Sequence, residues 1–162
     1  MVARSDKMKT SRTAGGIGRT VSLLGGETVV QAKVCNALDA HELLLRGLPV
    51  GALEHLASKA EVLKERDALN RAIGMSLTTL RRRKAKIAPP RLSVDQGSRC
   101  WRVAKIFAHA IDVIGSEEAA GAWMTKPAIG LENRKPVDLL ATYPGMELVE
   151  QYLTQIEYGV YI

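Results

Sequence analysis

The sequence predicts an all-α protein, and three features lead there. Aromatic residues make up only 4% of the 162, so the core must be built of Leu, Ile, Val, Ala and Met, which favours helices over sheets. From Asp39 onward, apolar positions recur at helical spacing. Cap-forming Asp, Ser and Pro residues and helix-stopping glycines punctuate that pattern. A chain of this length holds one ordinary domain, or two small ones sharing a core.

Residues 1–20 are basic, rich in Ser, Thr and Gly, and lack an apolar period, so they read as disordered. Gly15-Gly16-Ile17-Gly18 follows no strand and lacks the remaining spacing of a phosphate-binding loop. Within 21–37, Thr28, Val29 and Val30 have the character of a short edge strand. Asp39 and Glu42 stand at capping-box spacing and open a helix that Gly47 closes.

Pro49 starts a second helix, with Leu53, Leu56, Ala57 and Ala60 on one face. A third spans about Glu61 to Ile73, turning Leu63, Leu69, Ala72 and Ile73 inward, and Gly74 stops it. Ser76 caps the fourth, which Pro89-Pro90 ends. Ser93 with Gln96 forms another capping box and opens a long helix reaching Gly115. Its apolar positions Val103, Ile106, Phe107, Ala110, Ile111 and Ile114 exceed one narrow stripe, as in a helix buried on two sides. That helix is expected to join two halves and to offer apolar surface for self-association. Ser116 caps the next helix, and a loop, TKPAIGLENRK, leads to a short helix at Pro136. Pro144-Gly145 turns into the last helix, where Val149, Tyr152, Leu153 and Ile156 share a face and Gly159 is the stop.

Several function classes find no support. The chain has no 18-residue apolar run to span a bilayer, and no apolar stretch follows its basic N-terminus as a secretory signal would require. Two cysteines, Cys35 and Cys100, make no disulfide framework, so a cytoplasmic protein is expected. His41, His55 and His109 lie in separate helical patterns without ligand spacing, and neither cysteine has a CxxC partner. No nucleophile–base constellation is nominated. The expectation is a protein that is no enzyme, with no cofactor and no metal.

Charge is unevenly spread. Residues 1–99 carry 18 of the 23 Lys/Arg against 9 of the 17 Asp/Glu, whereas residues 100–162 carry 5 against 8. A basic front and an acidic back point to two surfaces with different partners, the first suited to nucleic acid.

Residues 66–86, RDALNRAIGMSLTTLRRRKAK, supply that first surface. A helix, a glycine turn and a Ser-capped second helix make the pattern of a helix-turn-helix unit. Leu77, Thr78 and Arg81 would lie toward base edges, with Arg82, Arg83, Lys84 and Lys86 suited to phosphates, and Ser76 and Thr79 complete the candidate DNA-binding set. The alternative is a solvated basic face on an ordinary helix pair. Asn70 stands where such motifs usually place alanine for close packing.

The ending, QIEYGVYI, is unusual: a helix that stops on glycine is followed by Val160, Tyr161 and Ile162. A free apolar tail docks either onto its own domain, against Trp123 or Tyr152, or onto a partner. Tyrosine suits a partner, because it buries large area with few rotors and keeps a polar tip.

Here a resemblance enters. Trp123, the loop GLENRKPVDLL with Gly130, Arg134, Pro136, Asp138, Leu139 and Leu140, then Gly145 and IEYGVYI, resemble the Xre/MbcA/ParS toxin-binding domain of bacterial antitoxins. GLPVGALEHLA at 47–57 and IGMSLTTLRRR at 73–83 are similar to the DNA-binding half of Xre antitoxins. The resemblance implies a partner RES-domain toxin that consumes NAD, homodimerisation, and repression at operator DNA. It implies toxin contacts from Arg134, Glu157, Tyr158, Gly159, Val160, Tyr161 and Ile162, the tail entering the toxin's active-site cleft. The expected organisation is a flexible basic arm over 1–36, a helix-turn-helix DNA-binding domain over 37–90, and a helical dimerisation and toxin-binding domain over 91–162, the resemblance covering about 45–162. The competing reading is a plain dimeric helix-turn-helix transcriptional regulator without a toxin partner.

Overall fold

Helix after helix in this chain begins on a side-chain oxygen, because the first N–H groups of a helix have no partner within it. The structure, a computed structural model, describes residues 16–86 and 90–159, and within them it is helical with no strand. Helix α1 covers residues 16–23 and α2 Gly26–Val30. The next are α3 (Ala37–Arg46), α4 (Val50–Lys59), a 3-10 turn at Glu61–Asp67, α5 (Ala68–Ile73) and α6 (Leu77–Lys84). Then follow α7 (Val94–Ile114), α8 (Glu117–Met124), a short 3-10 turn at Ile129–Leu131, α9 (Pro136–Leu139) and α10 (Tyr143–Glu157).

The caps at Ser76, Ser93 and Ser116 are where the sequence places them. Ser76 accepts from the Thr79 N–H and Ser116 from the Ala119 N–H, both as N-caps. At Ser93 the capping box is complete: Oγ accepts from the Gln96 N–H at 3.2 Å, and the Gln96 carboxamide accepts from the Ser93 N–H at 3.4 Å. Such a cap contributes about 1 kcal/mol.

Four expectations are corrected. Residues 16–30 form α1 and α2 rather than an unstructured arm and an edge strand at Thr28–Val30, while residues 1–15 lie outside the described residues. The reason is burial: Val21, Leu23, Leu24 and Val30 enter the core, and Thr20 follows them by donating its hydroxyl to the Gly16 carbonyl at 2.7 Å. Helix α3 opens at Asn36 rather than Asp39; the Asn36 side chain accepts from Leu38 and Asp39, and Asp39 accepts from the Cys35 N–H at 2.8 Å. The expected single helix from 61 to 73 breaks at Asp67, which takes a left-handed φ of 61°. Its carboxylate accepts from the Asn70 side chain at 3.0 Å. Finally, the apolar positions of α7 serve its own chain rather than self-association: α3, α5, α8 and α10 all pack on it, burying Val103, Ile106, Phe107, Ala110 and Ile111.

One contiguous apolar cluster runs from Val21 and Leu24 through Leu53, Leu56 and Ile73 to Phe107, Met146 and Leu153. Polar ties accompany it across the expected halves. Arg71 of α5 pairs with Asp138 of α9 at 3.2 Å, and the Gln96 side chain donates to the Gly74 carbonyl at 3.2 Å.

Helix α10 comes so close to α9 that position 145 in its first turn has room for no side chain. A Cβ on Gly145 would stand 2.0 Å from the Leu139 carbonyl oxygen, a backbone atom that cannot move aside. Gly145→Ala is therefore expected to destabilise the fold by about 3 kcal/mol, lowering Tm by roughly 10 °C. Thermal unfolding followed by circular dichroism checks this, and an unchanged Tm would contradict the close approach.

Candidate interaction sites

The basic candidate surface is α6. Gly74 turns α5 into it with φ of 81°, a conformation that costs glycine little and most residues more. Leu80 is buried and Leu77 is half-buried against the core, so Leu77 faces inward and not toward a ligand. Ser76 and Thr79 are half-buried and spend their oxygens on the cap, the Ser76 hydroxyl donating to Thr79 Oγ1 at 3.1 Å. What remains outward is Thr78, Arg81 and Arg82, which fall at i, i+3 and i+4, with Arg83 half-buried and Lys86 exposed beyond the helix. Lys84 forms an ion pair with Glu54 of α4, so part of its charge is matched. The cluster Arg81–Lys84 also sits in the last turn, where the helix dipole favours cations. Asn70, the departure from the alanine pattern, is exposed, while Ala68 and Ala72 are the buried small residues of α5.

The second candidate surface is built around a loop held to α10. Residues Ala128 and Arg134 pair as an antiparallel bridge, the Ala128 N–H donating to the Arg134 carbonyl at 3.1 Å. Between them the 3-10 turn is closed by the Leu131 N–H to Ala128 (3.0 Å), and Glu132 and Asn133 both take positive φ to complete the reversal. Gly130 lies flat on Tyr152: a Cβ there would be 2.2 Å from the ring. Tyr152 in turn stacks on Trp123, with centroids 6.1 Å apart. The structure thus explains why glycine and two aromatics stand at these positions.

Arg134 is exposed at the neck of this loop. Glu157 pairs with His109 at 3.0 Å, which places it beside α7. Tyr158 is 66% exposed, and Gly159 takes φ of 67° just past the helix. Val160, Tyr161 and Ile162 lie outside the described residues. Sequence reasoning passed over Ile129, the most exposed large apolar residue described at 84%. A lone apolar residue in a loop carries no periodicity, so only the fold reveals its exposure.

Among the described residues, no group of three or more His, Cys, Asp or Glu could hold a metal ion, and no helix is long and apolar enough to cross a membrane. The cysteines differ sharply. Cys35 is exposed, whereas Cys100 is fully buried in α7, and desolvation pushes its thiol far above the usual range. A thiol reagent is expected to label one cysteine rapidly in the native protein and the second only in denaturant, as mass spectrometry of the labelled peptides would show.

Residues 109–159 match the family described as the antitoxin Xre/MbcA/ParS C-terminal toxin-binding domain. The chain is similar to an Antitoxin Xre of Pseudomonas putida, 36% identical over 83 residues covering 51% of each chain. An Antitoxin Xre of Yersinia enterocolitica is 31% identical over 104 residues, 64% of each. A third, of Photorhabdus laumondii, is 28% identical over 119 residues, 73% of this chain and 78% of the relative. The chain thus spans between half and two thirds of the first two relatives' length.

Proposed function

We propose, from the premise that this chain belongs to the Xre-type antitoxins through its residues 109–159, that it neutralises a partner RES-domain, NAD-consuming toxin. The mechanism is occlusion: the tail Val160–Ile162 extends from the end of α10 into the toxin's active-site cleft. A cleft shaped for a nicotinamide dinucleotide would accept the phenol of Tyr161 in place of a ring. The observation that carries this reading is the match to a toxin-binding domain running to Gly159, where the helix has stopped.

The same chain represses its own operon through α6. Support comes from the outward Thr78, Arg81 and Arg82 on a helix that follows a glycine turn. Arginine reads guanine bidentately and also neutralises phosphates. As a homodimer, two copies of α6 about 34 Å apart would meet successive major grooves of a palindromic site.

The test is co-expression with the reading frame beside this gene, following growth and cellular NAD. Neutralisation predicts that the neighbour alone depletes NAD and stops growth, and that this chain restores both. A neighbour that remains toxic in its presence would leave only the plain transcriptional regulator.

A further inference from the structure

A surface helix ordinarily turns its apolar residues inward and leaves its polar residues outermost. Helix α3 does the first and not the second. Ala40 and Leu43 enter the core, yet the residues opposite them around the helix are Leu38 and Leu45, 65% and 58% exposed. The two leucines stand seven residues apart, two turns and about 10 Å along one line. His41 and Glu42, both exposed, flank that line between them, one on each side. Helix α3 packs on α7, and the leucine line is the side it leaves open.

The order of these four residues says what covers them. Leu38, His41, Glu42 and Leu45 run leucine, polar, polar, leucine, symmetric about the midpoint between 41 and 42. A two-fold interface requires that when one residue meets a second on the other copy, the second meets the first in return. Two α3 helices crossing antiparallel at that midpoint satisfy this. Leu38 then meets Leu45 of the second copy and His41 meets its Glu42, each contact occurring twice. In a parallel pair Glu42 would face Glu42 and His41 would face His41, like against like. An unrelated partner would place no such symmetry on the face.

We infer that the outward face of α3 is the surface on which two copies of this chain pair, antiparallel and two-fold symmetric. This rests on the homodimer of the functional reading and supplies its surface, since the apolar positions of α7 are taken up by its own chain. It uses neither α6 nor the 128–134 loop. One pair of ten-residue helices buries less than about 1,200 Å², the range of transient interfaces, so pairing is reversible with a Kd on the order of micromolar.

Sedimentation equilibrium of the full-length chain across micromolar concentrations tests this, with wild type, Leu45→Glu, His41→Glu and the double variant His41→Glu/Glu42→Lys. Wild type should be a reversible dimer. Leu45→Glu should weaken pairing by about thirtyfold or more, because the change enters one interface twice. Its Tm, measured at a dilution where wild type is monomeric, should be unchanged, since the side chain there meets solvent. His41→Glu sets carboxylate against carboxylate at both symmetric contacts and should weaken pairing by about tenfold. Adding Glu42→Lys should restore it, a rescue that only the antiparallel register predicts. A wild type that stays monomeric overturns the inference and the homodimer together. A dimer that survives Leu45→Glu keeps the homodimer and overturns this face. A double variant no tighter than His41→Glu overturns the antiparallel pairing, and a lowered Tm for dilute Leu45→Glu overturns the face by showing it covered by its own chain. Toxin neutralisation is decided by growth and cellular NAD, not by these outcomes.

Discussion

A chain ending at Gly159 is expected to lose toxin inhibition while keeping its fold and its DNA binding. The three removed residues follow a helix that has already stopped: Gly159 takes φ of 67°, and its N–H donates to the Ile156 carbonyl at 3.1 Å. Among the described residues the apolar core cluster ends at Leu153, within α10. What the truncation removes is Tyr161 with its apolar neighbours Val160 and Ile162, the proposed anchor. A buried tyrosine at the centre of an interface is typically worth about 2 kcal/mol or more, so inhibition should weaken by at least about a hundredfold once Val160 and Ile162 are counted. The measurement is residual NAD consumption by the toxin against increasing antitoxin, full length beside truncated. A lowered Tm with intact inhibition would place the tail on Trp123 or Tyr152 as part of the fold.

Replacing Arg81, Arg82 and Arg83 together by alanine is expected to abolish operator binding and leave inhibition untouched. Alanine is the best helix former, and Leu77 and Leu80 keep α6 docked, so the helix survives the change. Each phosphate that the protein no longer neutralises makes the log–log salt dependence shallower by about 0.9, so a change in slope of roughly 2 to 3 is expected. Affinity should fall by about a hundredfold or more where one of the arginines also reads a base. Fluorescence anisotropy on promoter DNA at several salt concentrations separates the two contributions. Equal affinity for the triple variant would mean that α6 is only a solvated basic face.

Most of the helical frame was legible because caps are local chemistry. Ser76, Ser93 and Ser116 each stand immediately before a helix, and each accepts the expected N–H. The failures share a different cause. Residues 16–30 are short, glycine-interrupted and mixed in character, so burial in the core, with α2 packed on α4, decides that they become helix. The break at Asp67 depends on a side-chain pair, Asp67 with Asn70, that competes with the backbone and leaves no periodic trace. In the candidate sites, the spacing located α6 but could not say that Leu77 turns inward or that Lys84 meets Glu54. Likewise the ending singled out the tail, while the exposure of Ile129 needed the loop to be folded onto Tyr152.

The apolar cluster that runs unbroken from Val21 to Leu153 has a consequence for how the protein leaves the cell. Proteolysis of a folded chain waits for an opening, and a shared core opens as a unit. Helices α5 and α10 both pack on α7, so neither end of the fold can be clipped away to leave the other intact. Turnover is then all-or-none, and under the function proposed above the event that frees the toxin would also lift repression, giving the two outputs a single lifetime.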